Sequence, residues 1–510
     1  MTVDAPVVVA GAGPTGVAVA TLLGQHGVPS IVIERHHDVY PLPRAVHVDD
    51  EVFRIVAQLG VGEAFRAVSQ PGLGLRLVDR GHRVLAQFDR TALDDHLFPQ
   101  ANMFDLPDLE RLMRRNLDSH PEVTLLSGVE LTAVHQGADR VAVTVTDEDG
   151  DTREITSQFL LGCDGANSLV RRAIGSSLVQ LGFEQRWLVL DIRCPVEFDD
   201  WDGVHQVCDT HRAGTFMRIG RDRYRWEFQL LDGEGPDEFR DTAALRRLID
   251  PWASSVDDDD LEVIRCVEYT FRAEIADRWR RSRVVILGDA AHLTPPFIGQ
   301  GMGAGLRDAM NLAWKVAAVV DGADEALLDT YELERKPHAT GLVKTAKVVG
   351  VAMTGGGRVA DALRHLVLPR ARFVPGLGRA VVNSATPALR PGPLVTRRSA
   401  GELRGTLLPV CELSTDEGMT IIDAQLGAGW GLVLNRPIRQ DDRALADSLD
   451  AGLVSIDRAS SGRGCAGLRR LFDHHGVQAV LVRPDRVVLA AGRTAEDIAQ
   501  RIPALVSTTA

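Results

Sequence analysis

Apolar and polar positions along the chain follow two periods, one typical of helices and one of strands. Near the N-terminus a β-branched run at 7–10 leads into the turn GAGPTG, and VAVATLLGQHG then carries apolar residues at helical spacing. A second β-branched run, SIVIER, comes next. This order predicts a strand, a tight turn, a helix and a second strand, the first unit of a Rossmann-type α/β domain.

The rest of the chain departs from that pattern twice. Short alternating runs such as WLVLDIRC, GTFMRIG and YRWEFQLL fill residues 180–275 and predict the strands of an inserted sheet. The later segment FVPGLGRAVVNSATPALRPGPL is rich in Pro, Gly and Ala and predicts a linker. Beyond it, runs such as GWGLVL and QAVLVRPDRVVLAAG alternate with helical stretches, which predicts a further α/β unit.

With 510 residues the chain is too long for one ordinary core, and about three domains are expected at about 100–200 residues each. The patterns divide it into a nucleotide-binding domain in two parts (1–179 and 276–372), an inserted sheet domain (180–275), a linker (373–394) and a C-terminal domain (395–510).

Composition narrows the class of protein. Hydrophobic residues make up 45% and charged residues 25%, as in soluble globular proteins. The net charge of −13 argues against nucleic acid or an anionic membrane as a partner, and there is no apolar run of about 18 residues that could span a bilayer. The six cysteines are scattered, with no CxxC and no zinc-ligand spacing, so we expect a reduced, cytoplasmic chain without a metal site.

The first turn has the full context of a dinucleotide site. Gly11, Gly13 and Gly16 let the backbone approach a pyrophosphate, and the following helix presents its free N–H groups to it. Glu34 lies 18 residues after Gly16, close to the position of an acid that binds a ribose hydroxyl. A ligand-free glycine turn would leave Glu34 unexplained.

A second glycine match, GRGCAG at 462–467, is followed by Asp485 at a similar distance. Its preceding apolar segment, LVSID, ends several residues too early for a strand that enters the turn directly. We interpret this match as a loop, and the single good fingerprint then indicates one tightly held cofactor.

Three motifs occur in order: GAGPTG, CDGANSLVRR at 163–172, and GDAAHLTPPFIGQGMGAGLRDAMNLAWK at 288–315. Together they resemble the single-component FAD-dependent aromatic hydroxylases of the para-hydroxybenzoate and phenol hydroxylase type. PRAVHVDDE (43–51), RWEF (225–228) and VRPDR (482–486) add a likeness to 3-(3-hydroxyphenyl)propionate hydroxylases. The resemblance implies a Rossmann-type FAD-binding domain, an inserted β-sheet substrate domain and a thioredoxin-like C-terminal domain.

The resemblance also implies a reaction in which the cofactor carries the reactive oxygen as a flavin C4a-hydroperoxide. The expected enzyme uses FAD, NADH or NADPH, and O₂ to hydroxylate a small phenolic substrate. Two alternatives stay open: an FAD oxidoreductase that tailors a polyketide-like aromatic by hydroxylation or Baeyer–Villiger oxidation, and a flavin-bound binding or sensing protein. The C-terminal domain is expected to serve packing or to form a homodimer.

Family motifs locate the expected cofactor contacts. Asp289 would bind the ribityl hydroxyls, the N–H groups of 299–303 would face the isoalloxazine edge, and Pro296 would border the reaction cavity. Many relatives carry Gln where this chain has Leu106, so one flavin contact is expected to be missing. The expected cofactor-binding residues are Gly11, Gly13, Gly16, Glu34, Arg35, Arg44, Asp164, Arg225, Gly288, Asp289, Pro296, Gly299, Gly301, Met302 and Gly303.

The substrate end is less determined. Because a phenol has a pKa near 10, a nearby base would help to form the more nucleophilic phenolate. His47, three residues after Arg44, is the candidate base, although a packing role is the simpler interpretation. Arg212 could pair with a substrate carboxylate or form a surface salt bridge. His205 and His211 are weaker candidates, and His292 is expected to be structural. His47, Pro296 and Arg212 are thus the predicted catalytic set.

Overall fold

The computed structural model describes residues 3–42, 44–93, 95–198, 201–355, 386–415, 418–456, 460 and 462–507. The end of the predicted second nucleotide-binding part, 356–372, and the start of the predicted linker, 373–385, lie outside these residues. None of the helices within the described ranges combines the length and the apolar character needed to cross a membrane.

The described chain forms helices and strands throughout. The helices are α1 (Pro14–Gln25), α2 (Asp50–Gln58), α3 (Gly62–Val68), α4 (Leu106–Asn116), α5 (Leu169–Ala173), α6 (Thr242–Ala253), α7 (Gly301–Val320), α8 (Ala326–Thr354), α9 (Arg397–Ala400), α10 (Ile422–Leu426), α11 (Gln440–Ser448), α12 (Cys465–His475), α13 (Ala495–Ala499) and α14 (Ala504–Ser507). The strands up to residue 198 are β1 (Ala5–Ala10), β2 (Ser30–Glu34), β3 (His47–Val48), β4 (Ser69–Pro71), β5 (Gly74–Val78), β6 (Val84–Asp89), β7 (Asn102–Phe104), β8 (Val123–Ser127), β9 (Val129–Gln136), β10 (Val141–Asp147), β11 (Thr152–Gly162) and β12 (Leu178–Arg193). The later strands are β13 (Val204–Val207), β14 (Gly214–Arg218), β15 (Arg223–Gln229), β16 (Glu262–Ala276), β17 (Arg280–Arg281), β18 (Val284–Ile286), β19 (His292–Leu293), β20 (Glu412–Thr415), β21 (Gly418–Ile421), β22 (Gly431–Leu434), β23 (Gly452–Ser455), β24 (Ala479–Val482) and β25 (Val488–Gly492).

The first sheet is built on the predicted N-terminal strand. Its main path is β17-β18-β11-β1-β2-β8, and β1 pairs in parallel with both β2 and β11. The β-branched residues of β1 are almost fully buried because helices and strands cover both faces of this parallel sheet. The turn after β1 therefore lies at the carboxyl edge of the sheet, where α/β folds bind their ligands.

The second sheet is mostly antiparallel and runs β19-β16-β12-β15-β14-β13-β5-β6. It takes in β5 and β6, which precede the segment predicted as the insertion. One face packs in a core with α6 and includes Leu190, Tyr224, Trp226 and Phe228. Because neighbouring strand residues point to opposite faces, the residues between them lie on the other face, which we call the inner face.

The C-terminal part contains a four-stranded sheet in the order β23-β22-β24-β25, surrounded by short helices. The mixed α/β architecture that the sequence predicts is thus confirmed, while the predicted domain boundaries stay predictions. This part meets α7 and α8 through buried ion pairs, which we call the seam. The seam consists of Asn311, Lys315, Glu334, Arg483 and Asp485.

Candidate active site

The GAGPTG turn has the geometry of a nucleotide site. Gly11 has φ +97°, and a Cβ there would lie 2.5 Å from the carbonyl oxygen of Cys163, so only glycine allows β1 and β11 to meet this closely. At Gly13, in contrast, an added Cβ would meet no atom within 4 Å. The space above the turn, at the start of α1, is therefore open to a ligand.

Glu34 ends β2 beside this turn and is 9% exposed. Its Oε2 accepts a hydrogen bond from the N–H of Ala12 at 2.8 Å, and Arg114 Nη2 approaches the same oxygen at 4.0 Å. The carboxylate is thus held at the edge of the open space, where an acid that binds a ribose would stand.

Asp289 lies in a 3-10 turn between β18 and β19. Its side chain is exposed to solvent, yet the surrounding protein is dense enough that burial raises its pKa, against smaller lowering effects of His292 and Arg44. Among the residues the structure describes, no hydrogen bond or ion pair reaches its carboxylate. A carboxyl that is both enclosed and accessible lies within a cleft, and this one lacks a protein partner.

A buried network of hydrogen bonds fixes the position of the loop that follows Asp289. Gln300 Nε2 donates to Asp49 Oδ2 at 2.7 Å, and Arg307 Nη2 donates to the same oxygen at 2.9 Å. Arg307 also donates from Nε to Glu51 Oε1 at 2.8 Å. Because α2 and α7 are tied at their first turns, Gly301 to Gly303 open α7 in a fixed position with their N–H groups unused by earlier helical carbonyls.

Gly299 brings the same loop to His47. It has φ +63°, and a Cβ at Gly299 would lie 2.7 Å from His47 Nδ1, so the backbone passes directly over the imidazole. Burial and the charge of Arg90 lower the pKa of His47 to about 4, although Asp49 and the Gly299 backbone oppose the shift. His47 is therefore neutral at pH 7. Pro296, half-buried, begins the 3-10 turn before Gly299.

Three residues predicted for the substrate end lie elsewhere. Arg212 donates to Glu234 Oε1 at 2.5 Å and to the carbonyl of Gln229 at 3.1 Å, the surface ion pair that was its alternative interpretation. His205 contacts Trp201 O at 2.9 Å and packs toward Trp252 on the α6 side of the sheet. His211 is exposed. His205 thus lies on the α6 side of the sheet, and Arg212 is held by Glu234.

Other predicted cofactor residues have protein partners of their own. Asp164 accepts from the hydroxyl of Ser168, the N-cap residue of α5, and from the N–H of Val170 in the first turn of that helix. Arg225 pairs with Asp191 at 2.7 Å. Its Nη1 also donates at 3.1 Å to the carbonyl of Arg44, which joins the second sheet, called the roof below, to the nucleotide-binding part.

The remaining predicted residues vary in accessibility. Arg44 is exposed, with its guanidinium 4.8 Å from the ring centroid of Tyr40. Arg35 is exposed beyond β2. Leu106 begins α4 and is buried, and Gly288 approaches Thr15 so closely that a Cβ would lie 2.7 Å from its hydroxyl. His292 bonds to Asp308 at 2.7 Å in the core, in line with the structural role expected of it.

Sequence reasoning missed two side chains at the cleft. Tyr269 on β16 is 45% exposed and close enough to Asp289 and Arg44 for both charges to act on its pKa, which burial raises. Arg90 follows β6 and acts on His47. Neither belongs to a local motif, and only the pairing of distant strands brings them to the cleft.

Asp485, the acid of the second glycine match, has another role. Arg483 Nε donates to it at 2.9 Å and Asn311 at 3.2 Å, within the seam. Gly464 caps α12 with φ +79°, and its Cβ position is filled by Val410 and Cys411. Residues 462–464 form the predicted loop, but Cys465 begins α12, so the second half of the glycine match is helical and the loop prediction is wrong there.

The sequence relatives of this chain act on aromatic compounds. The 3-(3-hydroxy-phenyl)propionate/3-hydroxycinnamic acid hydroxylase of Burkholderia cenocepacia is 32% identical, over 95% of this chain and 93% of the relative. The probable NADH-specific resorcinol 4-hydroxylase of Rhodococcus jostii is also 32% identical, over 99% of this chain and 95% of the relative.

Solved structures agree in fold. The complex of aklavinone-11 hydroxylase with FAD and aklavinone has a TM-score of 0.81 at 22% identity, and covers 100% of this chain and 99% of its own. The OxyS anhydrotetracycline hydroxylase of Streptomyces rimosus has a TM-score of 0.75 at 26% identity, with 99% and 98% covered. The open glycine turn, Glu34 and the partnerless Asp289 also fit a long dinucleotide. The FAD binding domain family matches residues 4–346, and the chain belongs to this family as an FAD-dependent aromatic hydroxylase.

Proposed function

We propose that this enzyme hydroxylates a small, single-ring phenol that carries a second substituent meta to the hydroxyl. The observation that supports this best is the close approach of Gly299 to His47, which we call the inner end of the cleft, in the loop that follows Asp289. Both sequence relatives described above are named for meta-substituted phenols.

The residues available for the cofactor lie along one path. The N–H groups at the start of α1 would hold the pyrophosphate, Glu34 a ribose, and Asp289 the ribityl hydroxyls. The first turn of α7 would present N–H groups to the ring system. When bound, FAD accepts hydride from NAD(P)H and delivers one oxygen atom of O₂ to the substrate.

His47 is assigned as a hydrogen-bond acceptor for the phenol hydroxyl. Its neutral imidazole has a lone pair at pH 7 because its pKa is lowered to about 4. Complete transfer of a proton from a phenol of pKa about 10 would be unfavourable by up to about 8 kcal/mol, at 1.36 kcal/mol for each pKa unit. His47 therefore orients and polarises the hydroxyl in the resting protein, and does not store its proton.

Arg90 completes this end of the site. Its positive charge is a main reason why the imidazole resists protonation. The same charge would stabilise a phenolate that forms nearby, so the pair favours loss of the phenol proton to solvent more than its capture by His47.

The two alternative functions receive less support. The polyketide-tailoring hydroxylases share the fold at 22–26% identity. No feature of the described residues favours a binding or sensing protein over an enzyme. The cytoplasmic location also remains part of the proposal, supported by six free cysteines.

A substrate panel tests this proposal. The FAD-loaded protein would be mixed with NADH or NADPH and with 3-(3-hydroxyphenyl)propionate, resorcinol, phenol or a multi-ring phenol, and product mass and hydrogen peroxide would be measured. We expect a product heavier by one oxygen atom from a single-ring, meta-substituted phenol. Oxygenation of only the multi-ring compounds, or peroxide as the sole product, would contradict the proposal.

A further inference from the structure

Glu227 is a buried carboxyl on the inner face that nothing described so far has used. It lies on β15 and is 9% exposed. Its nearest charged partner is Arg225 Nη1 at 3.9 Å, and that guanidinium already forms its close bonds with Asp191 and the Arg44 carbonyl. Within the described ranges, no hydrogen bond reaches the Glu227 carboxylate.

Strand register places Glu227 in a row across the roof. It pairs with Val189 on one side and Thr215 on the other, Thr215 pairs with Gln206, and Gln206 with Leu77. Since strands are about 4.8 Å apart, the polar part of the row, from Glu227 to Gln206, extends about 10 Å. It is a polar stripe on a sheet whose other face is an aromatic core.

Contacts on both sides of the row show what it faces. Met217, on the same face as Thr215, packs with Met103 and Val46, the neighbour of His47. Leu77, at the end of the row, packs with Phe297, the neighbour of Pro296. The row therefore spans the gap between the two segments that form the inner end of the cleft.

The polar members of the row differ in how many of their hydrogen-bonding groups have partners within the protein. Thr215 Oγ1 donates to Gln206 Oε1 at 3.0 Å, and Gln206 Nε2 donates to the carbonyl of Gly214 at 3.0 Å. Glu227 has acceptor oxygens and no donor. Since no hydrogen bond from the described residues reaches this carboxylate, a ligand that supplies a donor would form one that the protein does not. Burial raises the pKa of Glu227, as expected for a carboxyl in this environment.

We infer that Glu227 determines substrate specificity, by accepting a hydrogen bond from a hydroxyl or amino substituent on the ring, at the end remote from His47. This rests on the proposed function and narrows it, from any meta-substituted phenol to one whose second substituent is a hydrogen-bond donor. Sites built to bond a polar substituent discriminate strongly against analogues that lack it.

The test compares two ligands of similar shape, resorcinol and 3-methoxyphenol, of which only the first has a second donor. Their dissociation constants would be measured from the change in flavin absorbance, without NAD(P)H, for wild type, Glu227→Leu and Glu227→Gln. The matched control is Glu268→Leu, which removes a solvent-accessible carboxylate that pairs with Arg186 and lies on the other face of the same sheet.

We expect wild type and the control to prefer resorcinol by at least tenfold, Glu227→Leu to lose that preference, and Glu227→Gln to keep part of it. Glu227→Gln keeps the shape of the side chain, so it carries the test if the leucine variant does not fold. An unchanged preference in the variants, or none in wild type, would overturn the inference. The proposed function would survive that result if the panel shows oxygenated single-ring phenols, and would fail separately if it does not.

Discussion

The seam and the cleft both contain carboxylates, but these differ in how closely the protein pairs them with cations. In the seam, Glu334 pairs with Lys315 and with Arg483, each at 2.9 Å, and Arg483 also pairs with Asp485, so each charged side chain has an oppositely charged partner. In the cleft, no hydrogen bond from the described residues reaches Asp289, which is exposed, or Glu227, whose nearest cation is Arg225 at 3.9 Å. Acceptor oxygens that the protein does not use in this way are available to a ligand that donates hydrogen bonds.

The pKa values follow the same division. Burial alone would raise the pKa of Glu334, but Arg483 and Lys315 reverse the effect and lower it to about 2. For Asp289 and Glu227, burial dominates and the pKa is raised. Charges that serve architecture are thus stabilised in their ionised form by the protein, and charges that serve binding are left for the ligand to stabilise.

The largest effect is expected in the seam. Glu334→Gln leaves Lys315 and Arg483 without their carboxylate and should lower the free energy of unfolding by about 3 kcal/mol, as for other broken buried ion pairs. Denaturant unfolding of the FAD-free protein measures this. Glu268→Gln, which breaks a solvent-exposed ion pair with Arg186, should lower it far less. Equal losses would remove the distinction between buried and exposed pairs.

The next largest effect is a loss of stability at acid pH. Burial, with Arg335 and Arg54 respectively, lowers the pKa of His338 to about 2 and of His96 to about 3, so both stay neutral in the folded protein. The unfolded chain takes up their protons below about pH 6.5, so the free energy of unfolding should fall by about 2 kcal/mol per histidine between pH 6.5 and 5.

The seam carboxylates act in a different pH window. The stabilisation from Glu334, whose pKa is lowered, is present above about pH 4.5 and is lost as the pH falls toward 2. The prediction for the histidines is tested by calorimetric unfolding at pH 5.5 in buffers of different ionisation enthalpy, which measures how many protons the chain takes up as it unfolds. A count near zero would contradict the prediction that His338 and His96 are neutral in the folded protein.

The third effect is a loss of FAD affinity on substitution of Asp289 in the cleft. Asp289→Ala should weaken FAD binding by about tenfold, equivalent to about 1.4 kcal/mol, because hydroxyl contacts are lost. The unfolding temperature of the FAD-free protein should not fall, since no protein partner of the carboxylate is removed. Asp289→Asn, which keeps one acceptor oxygen, is expected to lie between. A loss of stability in the FAD-free protein without loss of FAD affinity would place Asp289 with the seam charges.

The sequence specifies the geometry of the predicted cofactor end more locally than that of the substrate end, for a physical reason. The GAGPTG turn and the loop through Gly299 act through backbone geometry, which a few glycines specify locally. Strand register places His205, on β13, on the α6 side of the second sheet, and Arg212 lies in the loop between β13 and β14, where it pairs with Glu234.

Tyr269 and Glu227 could be located only through that same register, since their neighbours across the sheet are distant in sequence. The ion pairs of the seam could not be predicted from the sequence either. Its members Lys315, Glu334 and Arg483 come from three separate segments, and only folding reveals that they pair.

The smallest effect is expected at His47. If it polarises the phenol hydroxyl and does not store its proton, His47→Gln should slow hydroxylation by less than about tenfold, because an amide oxygen can still accept a hydrogen bond. The rate of the wild type should show no inflection near pH 6.5, since the pKa of His47 lies at about 4. A pH profile between 5.5 and 9 for both proteins checks this, and an inflection near 6.5 that disappears in the variant would restore His47 as the base.

The central claim is that the partnerless charges of the cleft bind FAD and a phenol so that oxygen from O₂ reaches the ring. Single turnovers in ¹⁸O₂ test it most directly, with the FAD-loaded protein, NADH or NADPH and resorcinol, and with product analysed by mass spectrometry. The account predicts one ¹⁸O atom in each product molecule and close to one product for each NAD(P)H consumed. Product oxygen derived from water, or NAD(P)H consumption that yields only hydrogen peroxide with every phenol of the panel, would contradict it.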